Sequence, residues 1–158
     1  MKNQKLLLQK MSGVSLMLLL FLFFSNCAGG GGTLSTDVWN ITYDDQEGGI
    51  SLTYKSKNIC NGMYASYQWE GKEIKTSDYA RHKISTGKVS DSFGKGHIYK
   101  VEYTDKELPE LTQYFYLYPD KEYILTDFTV EAKEEISSAK MAPVNVDSIS
   151  GFLQAGDN

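Results

Sequence analysis

The sequence predicts an all-β fold, an antiparallel β-sandwich preceded by an N-terminal signal helix. From Asp37 onward apolar and polar residues alternate with a period of two, as in Tyr99-Lys100-Val101-Glu102-Tyr103, which marks strands covered on one face. Turn-forming residues recur about every 8–12 positions, the spacing of a sandwich or barrel. Between residues 33 and 158 no apolar stripe returns with the helical period.

In chain order, Val38 to Tyr43, Gly49 to Tyr54 and Ile59 to Trp69 are the first strands. Asp44-Asp45-Gln46-Glu47-Gly48 and Lys55 to Asn58 separate them with turn residues. Glu70-Gly71-Lys72 then turns the chain toward Glu73-Ile74-Lys75. Residues 111–118 place Leu111, Phe115 and Leu117 on one face and Tyr114, Tyr116 and Tyr118 on the other. After the turn Pro119-Asp120-Lys121, Tyr123 to Val130 resumes the alternation with Ile124, Phe128 and Val130 on one side, which makes a hairpin. Ser137 to Ile149 is a last strand, interrupted by Pro143. Gly151 to Asn158 holds apolar residues and a turn but no closing strand, so the sandwich is expected to be incomplete at that end. No internal repeat is present.

The front of the chain reads as an address. Lys2, Lys5 and Lys10 precede residues 11–25, which carry no charge. A basic start followed by an apolar stretch is the layout of a secretory signal peptide. As a helix, that stretch reaches roughly 22 Å, short of the roughly 30 Å of a hydrocarbon core. Cys27 ends the apolar stretch, and Gly29 to Gly32 follow soon after. This arrangement resembles a bacterial lipoprotein cleavage site, although Phe24 and Asn26 stand where such sites usually carry Leu and a small residue. The resemblance implies a signal peptide at 1–26, an acylated Cys27 as the new N-terminus, and residues 27–36 as a glycine-rich tether. Each buried methylene of an acyl chain contributes about 0.8 kcal/mol, so several chains anchor firmly. The expected location is the cell envelope, outside the cytoplasm, with the membrane as partner.

Charge and composition then exclude several functions. The whole chain has 16 basic and 20 acidic residues, and three of the basic ones lie in the leader, which leaves a net charge of −7 after cleavage. Such a surface repels nucleic acid and anionic headgroups. Two cysteines and two histidines, His82 and His97, offer no metal-ligand spacing, and no cofactor is expected. Cys60 reads as a small buried residue and Asp44-Asp45-Gln46-Glu47 as a solvated turn. There is no nucleophile elbow and no phosphate loop. Asn40-Ile41-Thr42 fits the glycosylation triplet, but the motif is incidental in a bacterial lipoprotein. The suggestive feature is aromatic: eleven tyrosines with Trp39 and Trp69, of which the two tryptophans are the candidate carbohydrate contacts.

Three stretches occur in a telling order. They are Asp91-Ser92-Phe93-Gly94-Lys95-Gly96, then Leu108-Pro109-Glu110-Leu111-Thr112-Gln113-Tyr114-Phe115 with Tyr118-Pro119-Asp120, and finally Met141-Ala142-Pro143-Val144 with Asp147-Ser148. Together they resemble the N-terminal β-sandwich of bacterial α-galactosidases related to raffinose synthases, in glycoside hydrolase family 36. In that family the sandwich precedes a (β/α)8 barrel, whose two catalytic aspartates run a retaining mechanism. The resemblance covers about residues 34–158 and none of the barrel, so no catalytic residue carries over. It implies a sandwich domain at 37–158, part of a larger lipid-anchored glycosidase, without activity of its own. The alternative is a stand-alone surface lipoprotein that binds a glycan or serves a structural role.

Overall fold

The computed structural model describes residues 32–46, 48–138 and 140–149. The expected signal peptide, Cys27, most of the expected tether and the end of the chain after Ile149 lie outside the described residues. What is described is all-β, as the alternation predicts, with ten strands and no α-helix. The first sheet contains β1 (Thr33–Ser35), β2 (Trp39–Asp44), β3 (Gly49–Tyr54), β4 (Lys57–Trp69) and β10 (Met141–Ile149), hydrogen-bonded in that order. β5 (Lys72–Lys75) also pairs with β4. The second sheet is an antiparallel meander of β6 (Arg81–Asp91), β7 (Gly94–Thr104), β8 (Glu110–Leu117) and β9 (Ile124–Glu131). A 3₁₀ turn at Thr76–Asp78 lies between β5 and β6.

The sheets pack as a sandwich because each strand turns one side of its alternation inward. Ile41, Tyr43, Ile50, Met63, Ala65 and Tyr67 from the first sheet join Tyr99, Val101, Tyr103, Leu111, Phe115 and Leu117 from the second in one core. Cys60 belongs to that core, and burial pushes its thiol pKa up. The hairpin of β8 and β9 forms as read, with Leu117 opposite Ile124 and Phe115 opposite Thr126. Pro143 marks a register break in β10, between the pairs Ala142–Ser66 and Asn145–Tyr64.

Three readings are corrected. The tether was expected to run to residue 36, yet Thr33–Ser35 pairs with Thr42–Asn40. β6, eleven residues long, is a strand that the alternation does not predict. It is an edge strand that exposes most of its side chains, so an apolar alternation never develops in its sequence. Tyr118 was placed beside Tyr114 and Tyr116 on the outer face. β8 instead ends at Leu117, and Tyr118 is fully buried.

That burial depends on a corner built from two hairpins. The Tyr118 hydroxyl donates to Asp91 Oδ2 at 2.6 Å, while Asp91 Oδ1 accepts the Phe93 N–H at 2.8 Å in the β6–β7 turn. Burial and the adjacent Asp91 push the Tyr118 pKa up to about 12. The ring lies over Gly96, where a Cβ would stand 2.7 Å from the Leu117 carbonyl oxygen and 2.8 Å from the Tyr118 ring. Gly96→Ala should therefore destabilise the protein by about 1–3 kcal/mol, read from the midpoint of urea unfolding.

The corner also carries a pH dependence. The Tyr118 hydroxyl holds the Asp91 carboxyl below its ordinary value, opposed by burial and aided by the N–H groups of Phe93 and Gly94. A depressed folded-state pKa stabilises the fold above the ordinary carboxylate value, and the contribution disappears as pH falls through the folded one. Asp91→Asn should melt below the wild type at neutral pH. Melting curves taken down to about pH 2 should show that gap closing.

Candidate functional site

The two tryptophans proposed as sugar contacts occupy different environments. Trp39 opens β2 and is 8% exposed, with its indole N–H donating to the Lys121 carbonyl at 3.2 Å. Its ring lies 4.6 Å from that of Tyr54, whose hydroxyl donates to Glu122 Oε1 at 2.7 Å. Trp39 thus packs the core and ties the first sheet to the β8–β9 turn; it presents little ring surface to a ligand. Trp69 closes β4 just before the turn at Glu70 and Gly71, both of which have positive φ. That turn holds the ring at one end of the sandwich, half-buried against the core.

Trp69 borders a cleft of ≈ 570 Å³ formed with residues 105–110, the β7–β8 loop and the first residue of β8, and residues 131–136, the end of β9 and the segment after it. Leu108, Pro109, Ala132 and Ile136 supply its other apolar surface. Seven carboxylates line it (Glu70, Asp105, Glu107, Glu110, Glu131, Glu134 and Glu135), against Lys106 and Lys133. Asp105 shapes the first loop by accepting the N–H of Glu107 at 2.9 Å and that of Ala80 at 3.3 Å. The Glu107 N–H is the main reason its carboxyl is held below the ordinary value. The Tyr79 hydroxyl fixes Pro109 from inside, donating to its carbonyl at 2.7 Å. An indole beside fixed acceptors suits a ligand that offers an apolar face and several hydroxyl donors.

Spacing could not reveal this cleft, because its two loops are separated in sequence and meet only through the β8–β9 hairpin. The run Glu131 to Glu135 was the available signal, and composition alone reads it as a solvated loop. His82 lies elsewhere, with Nε2 at 2.9 Å from Asp45 Oδ1 and its ring 4.2 Å from that of Tyr43. His97 pairs with Lys88 and Leu117 within the second sheet. Among the described residues no group of His, Cys, Asp or Glu is placed to hold a metal ion.

No family model, curated protein or solved structure matches the chain.

The contrast between the tryptophans is measurable. Trp39→Ala should cost about 3–5 kcal/mol in chemical denaturation, as for a large buried ring. Trp69→Ala should cost visibly less, since its ring is already partly exposed.

Proposed function

We propose that residues 37–158 form the non-catalytic β-sandwich of an α-galactosidase-like glycoside hydrolase, held at the cell envelope by a lipid on Cys27. The observation that carries this reading is that the three stretches bearing the family resemblance bond to one another. Asp91 of the first accepts the Tyr118 hydroxyl of the second at 2.6 Å, and Gly96 of the first lies under that same tyrosine. Gln113 of the second donates through Nε2 to the Pro143 carbonyl of the third at 2.9 Å. Residues that look like scattered motifs thus act as one set of fold determinants, as expected of a shared scaffold. On this reading none of the aspartates here is a glycosidase nucleophile or acid/base, and catalysis belongs to a barrel domain.

A second reading, a stand-alone glycan-binding lipoprotein, draws on the position of Trp69 at the cleft. Sequencing the gene past the codon for Asn158 separates the two. A frame continuing into strand–helix alternation supports the glycosidase module, and a stop codon at that point overturns it in favour of the stand-alone protein.

The anchor has its own test. In cells fed radiolabelled palmitate, the full chain should take up label and sediment with membranes. Cys27→Ala should lose the label.

A further inference from the structure

The outer face of the second sheet, turned away from the core, carries a narrow aromatic strip. Cross-strand register aligns Gly87, Ile98, Tyr116 and Leu125 in one row and Ser85, Lys100, Tyr114 and Asp127 in the next. The Tyr114 and Tyr116 rings are nearly parallel, at an interplanar angle of 17° with centroids 6.4 Å apart. Both side chains are partly exposed. At Gly87 the apolar row has no side chain, so the strip is open toward the sheet edge.

The chemistry around the rings favours an uncharged, hydroxyl-rich ligand. Lys100 Nζ stands over Tyr114, 6.0 Å from its ring centroid, but its charge is balanced by Glu102 Oε1 at 2.8 Å. Asp127 supplies an acceptor on the opposite side of the same row, and Ser85 a hydroxyl. One apolar row, bordered by Lys100 and Asp127, is narrower than the broad apolar centre of a stable protein interface. Anionic polymers are disfavoured by the acidic balance of the chain, 20 acidic against 16 basic residues.

We propose that this strip binds an uncharged polysaccharide, with Tyr114 and Tyr116 as the rings its sugars pack against and Lys100 and Asp127 as partners for its hydroxyls. This site goes beyond the scaffold role and is separate from the Trp69 cleft.

The test is native affinity electrophoresis of the full chain, in a detergent that contains no sugar, through gels holding galactomannan, xyloglucan or β-1,3-glucan. At least one polysaccharide should retard the wild type. Tyr114→Ala and Tyr116→Ala should each weaken that affinity about tenfold or more, Tyr116→Phe should retain most of it, and Trp69→Ala should leave it intact. The proposal is overturned if no polysaccharide retards the protein, or if alanine variants that melt like the wild type are retarded equally. A change from dimer to monomer in those variants, with unaltered retardation, would also overturn it and make the strip a self-association surface. Should the alanine variants fail to fold, ring-labelled tyrosine spectra of the wild type decide. An oligosaccharide of whichever polysaccharide retards the wild type should shift Tyr114 and Tyr116 and leave buried Tyr67 and Tyr99 in place, whereas unmoved Tyr114 and Tyr116 signals contradict the proposal.

Discussion

A core rich in tyrosine must find a partner for each hydroxyl it removes from water, and this constraint organises the fold. Six of the eleven tyrosines (Tyr43, Tyr67, Tyr79, Tyr99, Tyr103 and Tyr118) are buried. An unpaired buried hydroxyl costs on the order of 1–3 kcal/mol, so the loops are placed where they can accept these protons. Tyr79 gives its only proton to the Pro109 carbonyl, so in its 3.0 Å contact with Tyr67 it must be the acceptor. Tyr99 donates to the Gly32 carbonyl at 2.6 Å, and Tyr118 to Asp91. Each bond fastens a connecting segment to the sheets. Tyr103 differs: its hydroxyl interacts only weakly, with Tyr43 and with the 3₁₀-turn hydroxyl of Thr76, and forms no full hydrogen bond to either.

The fastened segments create the molecule's candidate surfaces. Pro109, held by Tyr79, sits in the wall of the acidic cleft, so the geometry of that cleft depends on the tyrosine chain beneath it. Tyr118, drawn inward by Asp91, leaves Tyr114 and Tyr116 as the aromatic pair on the outer face of the second sheet. One residue type thus serves two purposes, structural where its hydroxyl is spent inside and available for contact where the strand alternation turns it outward.

How much of this was legible in the sequence depended on the local character of each signal. The β8–β9 hairpin could be read because its alternation and its Pro119-Asp120 turn lie within twenty residues of one another. β6 could not, because an edge strand that leaves most of its side chains exposed needs no apolar alternation. Tyr118 misled for a related reason: a period of two runs on in the sequence past Leu117, while the backbone leaves the sheet there to complete the corner with Asp91. Gln113 falls on the inward side of the alternation with Leu111, Phe115 and Leu117 and is fully buried, its amide donating to Pro143. Trp39 and Trp69 read alike in the sequence, both tryptophans at strand ends. What separates them is a tertiary bond from Trp39 to Lys121.

Spectrophotometric alkaline titration of the tyrosines, followed alongside the β-sheet circular dichroism, tests the organising constraint most directly. Burial raises the pKa of Tyr43, Tyr67, Tyr79, Tyr99, Tyr103 and Tyr118 alike. These six should therefore ionise only in a cooperative step that coincides with loss of the sheet signal. If phenolate absorbance reaches the level of all eleven tyrosines while the sheet signal is still intact, the hydroxyls are not held inside. A tyrosine-stapled core would then be the wrong description of this fold.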